Sequence, residues 1–476
     1  MDKNRHSNKG GNLLPEGWAE TTLSEIAAVN PKNGELNSLL SGFIPMALAP
    51  TDFNGHLEFE EREWDEIKKK YTHFANGDVI FAKVTPCFEN GKAAIVSDLP
   101  NGIGAGSSEF YVLRPLAKGI STSYIFANIK SHEFMQTGAE NMTGAVGLRR
   151  VPRKFVEGFK VNLPPQAEQK VIADKLDTLL AQVETTKARL DRIPQILKTF
   201  RQSVLTAALS GKLTESWRNS NSTNNQWDSS ISVNQIAQYA ELLQLPSSWS
   251  WEYLGKIITV HNNLRKPLKK ADRDKRGGDY PYYGAFGIID DIDDFMLDGR
   301  YILLAEDGKN LETRTRPISL IAEGKFWVNN HAHVLKERKW INIDYVNNFL
   351  NSPIILIDQF LTGQDQVKLN RKAMELIPVP VPPLEEQTEI ARRIEQLFAH
   401  TDKIEQQVQA AQQRVDKLTQ SILAKAFRGE LTSQWRKDNP ALISGGNSAE
   451  ALLAKIKAER EAKSPKKRVK TKKAKA

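Results

Sequence analysis

The chain has 476 residues, 40% of them apolar and 26% charged, which is the composition of a folded, water-exposed protein of two to four domains. Cys87 is the only cysteine, which excludes an intrachain disulfide and a cysteine-cluster zinc site, and no apolar run reaches the ~18 residues of a membrane span. The net charge of +9 is concentrated at one end: residues 463–476 hold eight Lys/Arg and no acid, leaving the other 462 residues at +1. The overall charge therefore says little about the body of the protein; the tail is expected to be a disordered basic tether able to touch phosphates.

In chain order, residues 1–13 lack the apolar stretch of a secretory leader and are expected to be disordered. Residues 14–163 read as a mixed α/β domain, with strands over DVIFAKV (78–84) and EFYVLRP (109–115) and a helix over 123–131. Between the strands lies the turn-rich loop 85–96, where Asn90 and Lys92 join Lys83 as candidate nucleic-acid contacts. After Thr143-Gly144 the loop AVGLRRVPRK (145–154) adds Arg149, Arg150 and Lys154. Arg and Lys suit guanine or phosphate, and amide side chains suit adenine.

Residues 164–218 read as one long helix. Pro165 suits its start and Gly211 its stop. Apolar residues recur in steps of four and three at Ile172, Leu176, Leu179, Val183, Leu190, Ile193, Leu197, Phe200 and Val204, with Thr186 the one polar member. This alternation is a coiled-coil seam. Pro194 falls inside it, so a local kink is expected there.

A linker (219–244) leads to a second mixed α/β domain, 245–381, with strands over 300–306 and 331–337 and a helix over 343–350. Its segment 272–287 reads as a loop in which Arg273, Lys275 and Arg276 interleave with Tyr280, Tyr282 and Tyr283, suiting phosphate contact and base stacking. Packing of the tyrosines inward is the alternative. Lys309 is a further candidate, as are Gln364, Gln366, Lys368, Asn370 and Arg371 in the loop that follows Thr362-Gly363. A second long helix then occupies 382–436, with Ile390, Ile394, Leu397, Ile404, Val408, Val415, Leu418 and Ile422 in its seam and Thr401 as the polar member. Residues 437–462 are expected to form a short helix ahead of the basic tail.

Residues 164–218 and 382–436 align without a gap at an offset of 218, sharing Glu168/Glu386, Gln169/Gln387, Gly211/Gly429, Thr214/Thr432, Trp217/Trp435 and Arg218/Arg436. LPEGWAETTLSEIAAV (14–29) matches LPSSWSWEYLGKIITV (245–260) at an offset of 231. The chain is therefore a duplication of a divergent domain followed by a helix of fixed length. An apolar stripe needs a partner, and the other copy is the nearest one. The expected fold class is α+β: two mixed α/β domains in a pseudo-two-fold arrangement, separated by an intramolecular antiparallel coiled coil.

Catalytic signatures are weak. No phosphate-loop motif occurs, and GIGAG (102–106) lacks the strand-to-helix context of one. Asn162-Leu163-Pro164-Pro165 lacks the final aromatic of an amino-methyltransferase motif. Asp307 with Glu323 and Lys325 fits a nuclease pattern only loosely, and His331 and His333 read as structural histidines, so no metal site is expected.

The (I/V)-x-x-PP-x-x-EQ helix starts (Pro164–Gln169, Pro382–Gln387), the AxxGxLTxxW stops (Ala208–Trp217, Ala426–Trp435), and the runs YPYYGAFGIID (280–290) and WVNNHAHVL (327–335) resemble the specificity subunit of type I restriction–modification enzymes. The resemblance covers almost the whole chain. It implies that 14–163 and 245–381 are target recognition domains reading the halves of a split double-stranded DNA site, and that the helices set the spacer and dock partners. It implies no catalytic residue and no bound cofactor. Two modification subunits would use S-adenosylmethionine to methylate adenine, and restriction subunits would use ATP and Mg²⁺, all in the cytoplasm. The competing readings are a self-contained DNA methyltransferase or nuclease, and a coiled-coil scaffold without nucleic acid.

Overall fold

The computed structural model describes residues 14–34, 39–145, 147–221, 231, 243–363 and 367–463. The expected disordered N-terminus, most of the 219–244 linker, the basic tail from 464 onward, Gln364 and Gln366 lie outside the described residues. The chain divides into two compact units, residues 1–190 with 410–476, and residues 191–409.

In the first unit, a four-stranded antiparallel sheet runs in the order Ala27–Val29, Phe110–Pro115, Val79–Ala82, Ala93–Ile95. Its central strand VIFA is buried at every position, which is why it reads as an unbroken apolar run. A second sheet orders Glu60–Glu63, Leu40–Ile44, Ile103–Gly106 and Thr72–Ala75, with the two central strands parallel. Helices Thr122–Ile129 and His132–Glu140 cover the core; Ser121 and Ser131 cap them by accepting from Tyr124 N and Phe134 N.

The second unit holds a six-stranded sheet in the order Ile258–Val260, Ala332–Glu337, Leu297–Ala305, Ser319–Val328, Gly277–Gly284, Gly287–Ile292. Segment 272–287 is therefore not the expected loop. Half of it is a strand, Gly277–Gly284, paired with Gly287–Ile292 on one side and Ser319–Val328 on the other.

Each unit also carries the same small two-stranded ladder. Ala19–Thr22 pairs antiparallel with Lys160–Leu163, and Ser250–Tyr253 pairs with Pro378–Val381. In both cases the second strand runs straight into Pro-Pro and a long helix, Gln166–Leu209 or Leu384–Phe427, each of 44 residues. The first helix continues through Pro194 without interruption.

Both helices contribute to both units. In the first unit, Lys187 pairs with Asp416 at 2.8 Å, and Lys175 Nζ donates to Leu431 O at 2.7 Å. In the second, Arg201 pairs with Asp402 at 2.6 Å and Glu405 at 3.1 Å, and Arg393 donates to Leu213 O at 2.7 Å. Partner numbers fall as helix numbers rise, so the pairing is antiparallel in each unit. Ile172, Leu176, Leu197, Val204, Ile390, Ile394, Val408 and Val415 are buried, while Leu179, Val183, Leu190, Ile193, Leu397, Ile404 and Ile422 are half-buried.

Phe200 and Leu418 do not belong to the seam: they are 40% and 44% exposed. Leu180, Leu205, Leu423 and Ala426 are buried instead. A straight helix turns every 3.6 residues, so a 3.5-residue register drifts by ~20° per heptad and the buried stripe slides to neighbouring positions. Near the helix ends the domain cores cover these added residues as well.

Candidate nucleic-acid interface

Two features recur in both units with the same internal wiring. The first is a buried polar knot at the helix ends. Glu168 is fully buried and accepts from Trp18 Nε1 (2.8 Å), Thr432 Oγ1 (2.6 Å) and Arg436 Nη1 (2.5 Å). Glu386 is equally buried and accepts from Trp249 Nε1 (2.9 Å), Thr214 Oγ1 (2.7 Å) and Arg218 Nη1 (2.7 Å). The helix start of one copy thus holds the helix stop of the other. The second guanidinium nitrogen donates to the stop glycine, Arg218 to Gly211 O at 2.9 Å and Arg436 to Gly429 O at 2.6 Å. Both glycines have left-handed φ, 76° and 72°, and a Cβ on either would meet the arginine at 2.9 Å. Gln169 and Gln387 complete the knot by accepting from Ser121 N and Asn342 N, each at 2.8 Å.

The second feature is a corner that presents a basic segment. In the first unit Lys83 N donates to Glu109 O (2.9 Å), Val151 N to Lys83 O (2.8 Å) and Thr85 N to Arg149 O (3.0 Å). In the second, Glu306 N donates to His331 O (2.9 Å), Leu369 N to Glu306 O (2.8 Å) and Gly308 N to Val367 O (3.1 Å). Thr143 bridges Arg150, and Thr362 bridges Lys368. Arg150 and Lys368 therefore occupy the same place, each one residue ahead of a buried anchor, Val151 or Leu369.

The remaining candidates divide by their partners. Lys154, Lys275, Lys309 and Lys368 are exposed and make no ion pair among the described residues. Asn90 is exposed in the first unit's turn, and Lys92 Nζ donates to Met46 O at 2.8 Å, tying that turn down. Lys83 Nζ donates to Ser108 O at 2.7 Å. Arg150 is gripped by both oxygens of Glu109, at 2.8 and 2.9 Å, which holds that carboxyl below its usual range. Arg149 sits 3.4 Å from Glu89. Asn370 caps the next helical turn by accepting from Ala373 N at 3.0 Å, and Arg371 pairs with Glu375 at 2.7 Å.

The Tyr/Arg segment needs correction. Tyr282 is 1% exposed, with its hydroxyl accepting from Leu268 N at 2.9 Å, so it cannot stack on a base. Arg273 is bound to Asp290 at 3.0 Å and lies over the Tyr282 ring, while Arg276 is bound to Asp293 and lies over Trp327. Tyr280 packs on Phe295 and half-buried Tyr283 on Phe326, burial raising the pKa of the Tyr283 hydroxyl. Interleaved Arg and Tyr here build the sheet's own surface.

The loose nuclease pattern is not assembled: Asp307 holds His331 Nδ1 at 2.8 Å, whereas Glu323 lies beside Arg300. Among the described residues no cluster could hold a metal ion, and no helix is long and apolar enough to cross a membrane. Sequence reasoning missed Glu109 and Tyr111 in the first corner, and Asn262, Arg265 and Glu306 in the second. Each is a polar residue beside or inside a strand pattern, a signal without period or motif.

Residues 15–195 and 246–412 match the type I restriction modification DNA specificity domain. The chain is 38% identical over 376 residues to the EcoDI specificity subunit of Escherichia coli, covering 75% of this chain and 80% of that one. It is 33% identical to the EcoKI specificity subunit of Escherichia coli K12, covering 95% and 98%, and 33% identical to the StySPI subunit of Salmonella potsdam, covering 94% and 96%. The fold is shared with the HsdS subunit from Thermoanaerobacter tengcongensis (TM-score 0.57, 17% identity, covering 88% of this chain and 99% of that chain). It is also shared with a chain from a type I R-M system studied for complex assembly and conformational transition (TM-score 0.61, 18% identity, covering 88% and 100%).

The chain belongs to the type I restriction–modification DNA specificity family. It is the non-catalytic, DNA-binding specificity subunit of such a system, with no cofactor of its own.

Proposed function

We propose that each unit reads one half of a bipartite double-stranded DNA site through its basic corner, and that the paired helices set the number of unread base pairs between the halves. The observation that carries this reading is the repetition of one backbone hydrogen-bond pattern around Arg149–Val151 and Val367–Leu369 in two domains whose sequences have diverged. The repeated pattern keeps the presenting backbone the same and leaves side chains free to differ, as a reader of two unlike half-sites requires. Lys83, Asn90, Lys92, Arg149, Arg150 and Lys154 serve the first half-site. Lys309, Lys368, Asn370 and Arg371 serve the second, with Lys275 on the flank. A 44-residue helix is about 66 Å long, against ~34–36 Å for a duplex turn, so half-sites more than one turn apart are within its span.

The helix surfaces and their flanking knots dock two modification subunits. These bring S-adenosylmethionine and flip the target adenine out of the stack, since an adenine inside the duplex is out of reach. Restriction subunits add ATP- and Mg²⁺-dependent cleavage, and the assembly works in the cytoplasm.

Methylome sequencing of cells carrying this gene with its partner subunits tests the reading. Methylated adenines should fall in one asymmetric bipartite sequence with a constant gap. Exchanging residues 245–381 for another recognition domain should change one half-site only. A single uninterrupted motif, or a change in both halves, overturns the proposal.

A further inference from the structure

We propose that His333 is a positioning residue for second half-site recognition: it holds the backbone of Val367–Leu369, and with it Lys368, as Tyr111 holds Arg149–Val151 in the other unit. The inference rests on the reading that these corners face DNA.

The two residues occupy one structural position. Ala82 pairs with Phe110 and Ala305 with Ala332 at matching ends of the central ladders, so the next residues along, Tyr111 and His333, correspond. Tyr111 Oη donates to Val151 O at 3.0 Å, and His333 Nε2 lies 2.7 Å from Leu369 O. Both side chains are buried, and both acceptors are the carbonyl of the residue that follows the corner's basic residue, half-buried Arg150 or exposed Lys368. Tyr111 and His333 are offset by 222, whereas Val151 and Leu369 are offset by 218. No constant-offset alignment shows that they do the same job.

The hydrogen bonds around His333 define its proton. Asn262 Oδ1 accepts from Val334 N at 3.0 Å, so the amide's NH₂ must face the ring, where Asn262 Nδ2 lies 2.9 Å from His333 Nδ1. The ring therefore accepts at Nδ1 and donates from Nε2 to Leu369 O. A second proton, on Nδ1, would confront the amide donor. Glu306 Oε2, 3.6 Å from Nδ1, favours the charged ring; Arg265, which is bound to Glu306, and Arg371 oppose it. Burial is the largest influence and disfavours the charged ring, the hydrogen bond to Leu369 O favours it, and the histidine pKa lies below its usual value. Acid should therefore loosen the second corner first, because Tyr111, whose own pKa burial raises, stays a neutral donor throughout.

The test uses the full chain assembled with its modification subunits. The substrates are duplexes carrying the bipartite sequence found by methylome sequencing, plus duplexes with single base changes in either half-site. Methylation rates give a discrimination ratio for each half-site, and exchange of 245–381 tells which half-site the second domain reads. His333→Leu should lower second half-site discrimination about tenfold, as expected for one lost buried hydrogen bond, and leave the first unchanged. His333→Gln keeps a donor near the Nε2 position, so it should retain discrimination and remove the loss that the unaltered complex shows on acidification below the ordinary histidine value. If His333→Leu does not fold, the His333→Gln pH profile decides alone. Unchanged discrimination in His333→Leu, equal loss at both half-sites, or an unaltered pH profile in His333→Gln overturns the inference. Lys368→Ala separates the layers. If it weakens second half-site reading while His333→Leu does not, positioning fails and the corner reading stands; if neither has an effect, the corner reading itself fails.

Discussion

The buried carboxylate of Glu386 is the strongest single lever on helix pairing in the second unit. Glu386→Gln keeps the volume but removes the charge facing Arg218. Oε1 now serves both Thr214 and Arg218, and Oε2 serves Trp249. An amide has one acceptor oxygen and one NH₂ group, so turned one way its NH₂ faces the Trp249 N–H and turned the other way it faces the Arg218 guanidinium. Arg218 is only 16% exposed and cannot recover full hydration. Removing one partner of a buried ion pair costs ~3–5 kcal/mol, and the residual exposure of Arg218 places the loss near the lower end, about 3 kcal/mol or two orders of magnitude in the unfolding equilibrium. Hydrogen exchange with peptide-level readout is the appropriate assay, because a chain of two units need not unfold in one step. Exchange should rise in residues 209–220, 249–253 and 384–395. It should not change around the matching knot of Glu168, Thr432 and Arg436, which lies in the other unit. A loss below ~1 kcal/mol, or an equal rise at both knots, would refute the reasoning.

Three further outcomes are expected. Leu176→Ala and Ile394→Ala, at positions 1% exposed, should each destabilise by ~2–5 kcal/mol, while Phe200→Ala should cost well under ~2 kcal/mol; similar midpoint shifts in denaturant for all three would contradict the corrected seam. Burial lowers the Lys130 pKa to about 8 while its ammonium donates to Thr51 O and Gly91 O. From there up to its ordinary value the unfolded chain holds a proton the folded one lacks, so stability should rise with pH across that window and stay level with respect to this group below it; denaturation midpoints at pH 7.5 and 10 should separate less in Lys130→Met, and identical separation would count against this assignment. Lys154→Ala and Lys368→Ala should each lower the slope of log affinity against log salt by about one if their ammonium groups meet phosphates; unchanged slopes would place both away from the backbone.

Much of this architecture was legible in the residues. The interior strands around Val79–Ala82 and Leu297–Ala305 show as apolar runs, and the helices show as a three-and-four alternation bounded by proline and glycine. These signals survive in one dimension because they are set by local geometry: two residues per strand repeat, 3.6 per helical turn, and a glycine where φ must be positive. The inward turn of Tyr282 was not legible, since an Arg/Tyr-rich segment has the same composition whether it faces solvent or its own sheet. Nor was the exposure of Phe200, because a small difference between helical and heptad periods accumulates along the helix until the stripe has moved.

By itself the sequence determined that the chain is a duplication, that each copy ends in a helix of equal length, and that those helices need apolar partners. Only the tertiary structure decided who partners whom. Glu168 is satisfied by Thr432 and Arg436 rather than by the stop motif of its own copy, and Leu369 O is met by a histidine where Val151 O is met by a tyrosine. A buried carboxylate or carbonyl must be satisfied, but any donor that reaches it will serve, and reach depends on how distant stretches of backbone meet in space.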